Sequence, residues 1–163
     1  MQRSVSQADV IPSGIEPTDV NDVMLNPLVF HQARKEYKYK PSVNLFANAD
    51  HHQLPRYYSQ VADAKADGVD AFVANWQAEG TPYANSPWQL IPRVLRKVPN
   101  DRVRIMMVVP DWEWTAWYSE WQALCEKGLL LTDPVYLDSA GRIRPKPRWN
   151  TRIGILNGQR MAA

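Results

Sequence analysis

The run Val103-Arg104-Ile105-Met106-Met107-Val108-Val109 constrains this chain more than any other feature. It is nearly all apolar at odd and even positions alike, which is what a strand covered on both faces looks like. A strand of that kind, alternating along the chain with helical runs, indicates a sheet with helices packed on its faces. Further strand-length runs are Val43-Asn44-Leu45-Phe46-Ala47, Val69 to Ala74, the short Pro82-Tyr83-Ala84, and Thr151 to Leu156, which stops at the turn pair Asn157-Gly158.

Helical signals fall between these runs. Asn26 can accept a hydrogen bond from a first turn and Pro27 fits the first helical position, so a helix is expected from there to about Lys38. Pro41 blocks its continuation. A second helix is expected from about Trp88 to Val98, with Ile91, Val94, Leu95 and Val98 inward; Pro92 either separates its first turn or begins it. A third is expected over 113–127, with Trp114, Trp117, Tyr118, Trp121, Leu124 and Cys125 on one face and Gly128 as its stop. The tryptophans read as core and Cys125 as a buried structural thiol. The fold class is α/β, a small parallel or mixed sheet with helices on its faces, and no internal repeat is visible. Residues 1–23 have no sustained period and read as an irregular leader; the α/β domain is expected over 24–163.

At 163 residues the chain suits one domain with a real core. Apolar residues at 45% and charged residues at 22% are ordinary globular values. No apolar run approaches the ~20 residues of a membrane span, MQRSVSQADVIPSG lacks a signal-peptide stretch, and the single cysteine fits a reducing compartment. An intracellular protein with no membrane partner is expected, with nucleus and cytoplasm not distinguished. The net charge of +2 is a weak argument for any partner, but the basic residues are grouped. Arg93, Arg96, Lys97, Arg102 and Arg104 form one group, and Arg142, Arg144, Lys146, Arg148 and Arg152 another. Either can neutralise phosphates, or simply be a solvated helix face and a polar loop. Arg93, Arg96, Lys97, Arg144 and Arg148 are the candidate nucleic-acid contacts.

No metal site is expected. Asp50-His51-His52 is the only imidazole cluster, adjacent side chains seldom aim at one ion, and His31 has no assignable partner. A phosphate-binding glycine loop and a serine elbow are also missing.

The loop Asn85-Ser86-Pro87-Trp88 stands out. A polar acceptor, a proline and an aromatic ring, directly after a short strand, suit transfer of a methyl group to an exocyclic amine. The Asn85 oxygen would hold the amine, and Trp88 would offer a face on which an extruded base stacks. The competing explanation is a helix cap at Asn85 or Ser86, with Pro87 in the first turn and Trp88 in the core.

Larger blocks bear on that choice. Val43 to Asn48, His52-Gln53-Leu54-Pro55-Arg56-Tyr57-Tyr58-Ser59, Gly68-Val69-Asp70-Ala71-Phe72 with Trp76, and Tyr83-Ala84-Asn85-Ser86-Pro87-Trp88 follow in order. They continue through Leu90-Ile91-Pro92-Arg93-Val94-Leu95, Val109-Pro110-Asp111-Trp112 and Trp117-Tyr118. This series resembles the segment that follows reverse transcriptase and ribonuclease H in tyrosine-recombinase (DIRS-type) retrotransposons. That segment is in turn similar to phage Dam-like DNA adenine methyltransferases. The resemblance spans about residues 26 to 158, and residues 1–22 weakly resemble the worn end of a ribonuclease H domain.

The resemblance implies a Rossmann-like methyltransferase fold, S-adenosylmethionine as donor and adenine in DNA as acceptor. It places Asn44, Phe46, Ala47 and Asp70 near the donor and makes Asn85, Ser86, Pro87 and Trp88 the catalytic loop. A reverse transcriptase and ribonuclease H of the same polyprotein are the implied partners. Where the family pattern has aspartate, serine and asparagine, this chain has Asn44, Asn48 and His51, and its double proline is Ser86-Pro87. The apolar framework matches while polar site positions drift, so weakened or lost catalysis is expected. The alternatives are a non-catalytic nucleic-acid-binding or assembly module on the same fold, and a gene fragment without selected function.

Overall fold

The computed structural model describes residues 24–48, 52–138 and 140–161. The leader expected over 1–23 and the drifted position His51 lie outside them. The chain begins with a short strand, β1 (Met24–Leu25), and a helix, α1 (Pro27–Tyr37). Asn26 caps α1 as expected, its Oδ1 accepting the Leu28 N–H at 3.0 Å, and Lys38 ends the helix in the left-handed region at φ 52°. Then come β2 (Val43–Ala47), β3 (Tyr57–Ser59), β4 (Gly68–Val69) and, after two 3-10 turns, β5 (Pro82–Ala84). A 3-10 turn at Trp88–Leu90 leads into α2 (Ile91–Asn100), followed by β6 (Arg104–Pro110) and α3 (Tyr118–Leu124). The chain closes with β7 (Cys125–Leu131), β8 (Tyr136–Leu137) and β9 (Thr151–Asn157).

Seven strands form one mixed sheet in the order β4-β3-β2-β5-β6-β9-β7. All neighbours from β4 to β6 pair in parallel, and β9 runs antiparallel to both β6 and β7. β1 and β8 make a separate antiparallel pair. The expected α/β class with a mixed, Rossmann-like sheet is what the chain adopts. Among the described residues no helix is long and apolar enough to cross a membrane.

β6 behaves as its composition demands. Ile105, Met107 and Val109 join the core beneath α2 and α3, together with Val94, Leu95, Trp117 and Trp121. Met106 and Val108 join the opposite core, with Phe30, Ala33 and Tyr37 of α1. Helices therefore cover both faces, and the central strand has no wet side. Gly154 in β9 lets α3 and β7 approach closely. A Cβ there would stand 2.8 Å from the Lys127 carbonyl oxygen and 3.1 Å from the Trp121 ring.

Two expectations fail. The run from Val69 to Ala74 is a strand only at Gly68–Val69; Asp70 adopts φ 64° and its carboxylate accepts the Phe72 N–H at 3.0 Å, opening a 3-10 turn. β4 lies at the sheet edge, so that local hydrogen bond has no outer ladder to compete with. The helix expected over 113–127 is confined to Tyr118–Leu124, and Gly128 lies inside β7 rather than ending a helix. Helical spacing persists to Leu124, but residues 125–131 meet β9, whose pairing satisfies every second backbone group, and that outweighs helix propensity. Trp114 is consequently half exposed, stacked on Trp112 at 5.8 Å instead of lying inward. Cys125 starts β7 half-buried rather than buried on a helix face, its thiol donating to the Lys127 carbonyl at 3.1 Å, and desolvation pushes its pKa up. β3 and β7 were not anticipated as strands, nor were the two-residue strands β1 and β8.

Candidate functional site

From β2 the chain builds outward through β3 to β4, then returns to the other side of β2 with β5 and β6. The sheet therefore changes its direction of growth between β2 and β5, and such a switch point opens a crevice at the carboxyl ends of the strands. A cavity of about 190 Å³ lies there. Asn44, Phe46 and Ala47 reach it from β2, Ser59 from the end of β3, Tyr83 from β5, and Asn85 and Pro87 from the turn after β5.

The polar groups of this cavity are unusual. Asn44 is 3% exposed and Tyr83 1% exposed, yet the Asn44 Oδ1 and Tyr83 Oη atoms have no hydrogen-bond partner among the described residues. Elsewhere in the same core Tyr37 donates to the Ile153 carbonyl at 2.9 Å, and Tyr39 to the Pro82 carbonyl at 2.8 Å. A buried unmet polar atom costs about 1–3 kcal/mol, and these two stand on paired strands beside the cavity, while Ser86 Oγ and the indole N–H groups of Trp112 and Trp149 are likewise unmet among the described residues. Burial pushes the Tyr83 phenol well above its ordinary pKa, which keeps it a neutral O–H donor. Asn44 Oδ1 is an acceptor. No residue lining the cavity, among those described, carries a charge.

The four residues of the expected catalytic loop separate. Asn85 and Pro87 line the cavity. Ser86 is buried and its hydroxyl has no partner among the described residues. Trp88 does not line the cavity. Half-buried, it packs edge-on against Trp112 at 5.1 Å and Trp149 at 5.5 Å. The capping explanation is not realised either, since neither the Trp88–Leu90 turn nor α2 receives a side-chain cap. Of the expected donor residues, Asn44, Phe46 and Ala47 converge on the cavity, whereas Asp70 is taken up in capping its own turn. Reading the residues one by one missed Tyr83 and Ser59. The signal for Tyr83 was available: a tyrosine in a three-residue strand directly before Asn85.

The basic candidates also divide. Arg93 and Arg96 are exposed on α2. Lys97 is spoken for, paired with Asp101 at 2.9 Å and lying 5.2 Å from the Trp76 ring centre. Arg144 and Arg148 stand in the segment between β8 and β9; Arg144 is half-buried with its backbone N–H on the Tyr136 carbonyl, and Arg148 is exposed. His31 is exposed, His52 stacks on Tyr57 at 4.5 Å, and no group of metal-ligating side chains occurs among the described residues.

No protein-family model matches this chain, and no curated protein matches it.

Proposed function

We propose that this is a Dam-like methyltransferase domain, of retroelement descent, that has kept its binding crevice and lost most or all of its catalysis. One observation carries the reading. The end of β2, with Asn44, Phe46 and Ala47, and the Asn85–Pro87 turn meet at a single cavity at the switch point of the sheet. Donor and acceptor must come within ~3–3.5 Å for transfer, so the two segments had to converge for the reading to survive.

S-adenosylmethionine would supply an activated methyl group. Asn44 Oδ1 and Tyr83 Oη fit such a ligand as an acceptor and a donor awaiting partners. Phe46 and Pro87 would add apolar contact, and Asn85, which lines the same cavity, would hold the adenine amine. Two features argue against efficient turnover. An amide at Asn44 offers no negative charge, and Ser86 replaces a stiffening proline with a buried hydroxyl that has no partner among the described residues. Loose positioning is costly where rate depends on alignment. Trp88, held by Trp112 and Trp149, is turned to packing rather than to a base in the cavity.

The test is calorimetry with S-adenosylmethionine on the purified protein, beside an assay of labelled methyl transfer to single- and double-stranded DNA. Binding is expected and should be lost in Asn44→Leu; transfer is expected to be absent or very slow. Absence of donor binding removes the reading and favours a non-catalytic nucleic-acid-binding module. Turnover that disappears in Asn85→Ala shows a live enzyme and removes the claim of lost catalysis.

A further inference from the structure

An aromatic and cationic ladder leads away from the cavity. Phe46 lines the cavity and packs on Phe72 with ring centres 5.5 Å apart. The Arg93 guanidinium lies over the other ring, 3.9 Å from its centre. Phe72, Arg93, Arg96, Lys97 and Asn100 then line an open hollow of about 300 Å³ beside α2. Nothing in the proposed methyl transfer uses this hollow.

Its charge is specific. Lys97 and Asp101 neutralise one another, and Asn100 also donates to Asp101, at 3.1 Å. Arg93 and Arg96 are thus the two cations here with no carboxylate partner among the described residues. The exposed carboxylate of Asp70, two residues before Phe72, is the opposing charge on this side. Arg93 is exposed and its guanidinium carbon lies 3.9 Å from the Phe72 ring centre, which puts a flat cation beside a positive hollow. Planes of this kind stack bases, while neighbouring cations hold phosphates.

We propose that the hollow beside α2 seats single-stranded nucleic acid, with Arg93 and Arg96 on successive phosphates and a base stacked on the Arg93 guanidinium. The strand runs from the cavity over Phe72 to α2. This extends the methyltransferase reading by naming the path of the acceptor strand, and it stands on the hollow rather than on the donor site.

The experiment titrates the full chain with a short fluorescent single-stranded DNA across a salt series. In Arg93→Ala/Arg96→Ala the slope of log affinity against log salt should fall by roughly 1.4, the value for two phosphate contacts on a single strand. Arg93→Lys keeps the charge and loses the plane. Its slope should stay, while its preference for a normal over an abasic strand drops about 5-fold or more. No binding by the unaltered protein at low salt, an unchanged slope in the double variant, or equal binding of normal and abasic strands overturns the proposal. Circular dichroism checks that the variants fold. Failure of S-adenosylmethionine to bind, with the salt slope as expected, would remove the donor reading and leave this one standing.

Discussion

The crevice between β2 and β5 and the slab of β6, β9 and β7 belong to one sheet but differ in how far their strands pair. In the slab each strand has seven residues, and β6 pairs with β9 along its whole length. β3, β4 and β5 have three, two and three residues, so the ladder beside the crevice is short and its ends open into loops. Tyr37 and Tyr39, rooted between α1 and the slab, find carbonyl partners, while Asn44 and Tyr83 at the crevice find none among the described residues. Unmet polar atoms are not confined to the crevice, since Trp112 and Trp149, beside the ends of β6 and β9, also hold buried indole N–H groups without partners among the described residues.

The comparison can be broken most directly at Trp121. It is buried between α3 and the sheet, and Trp121→Ala should cost about 3–5 kcal/mol in urea unfolding. A loss below about 1 kcal/mol would mean that the slab is not the stabilising half. Gly154→Ala places a Cβ against the Lys127 backbone oxygen, which cannot swing aside, and should cost about 1–3 kcal/mol.

The sharpest contrast is one substitution made in both regions. Tyr39→Phe removes a hydroxyl that donates to carbonyls of Pro82 and Arg104, and should cost about 1 kcal/mol. Tyr83→Phe removes a hydroxyl without a partner, and should leave stability unchanged or raise it by about 1 kcal/mol, with weaker S-adenosylmethionine binding. If both variants lose stability equally, the Tyr83 hydroxyl is not free to serve a ligand and its part in the binding reading falls.

The smallest effect is in acid. Burial raises the Asp101 pKa, but hydrogen bonds from the Trp76 N–H, Lys97 and Asn100 together outweigh it and hold the carboxyl below its ordinary value. A depressed carboxyl stabilises the fold above the unfolded value of about 3.9, and that contribution disappears as pH falls through the folded value. Asp101→Asn should therefore be about 1 kcal/mol less stable near pH 6, with the gap closing on acidification. A gap that persists at low pH would mean the aspartate acts through packing alone.

How much of this was legible in the residues depended on where the deciding contact lay. Asn26-Pro27 announces its helix because a cap is settled within a few residues. The double-sided burial of β6 is written in its composition, since a strand with no polar face needs cover on both sides. The apolar floor of the crevice and its Asn85 turn were visible as blocks that follow short strands. The fates of Trp88 and residues 125–131 were not. Trp88 turned to indoles at positions 112 and 149, and 125–131 to pairing with the strand at 151–157. Local chemistry alone determined the class, the caps and the central strand, because those energies are fixed by near neighbours. Tertiary structure alone decided which polar atoms went unmet, since a hydrogen bond between distant segments exists only once the sheet has brought them together.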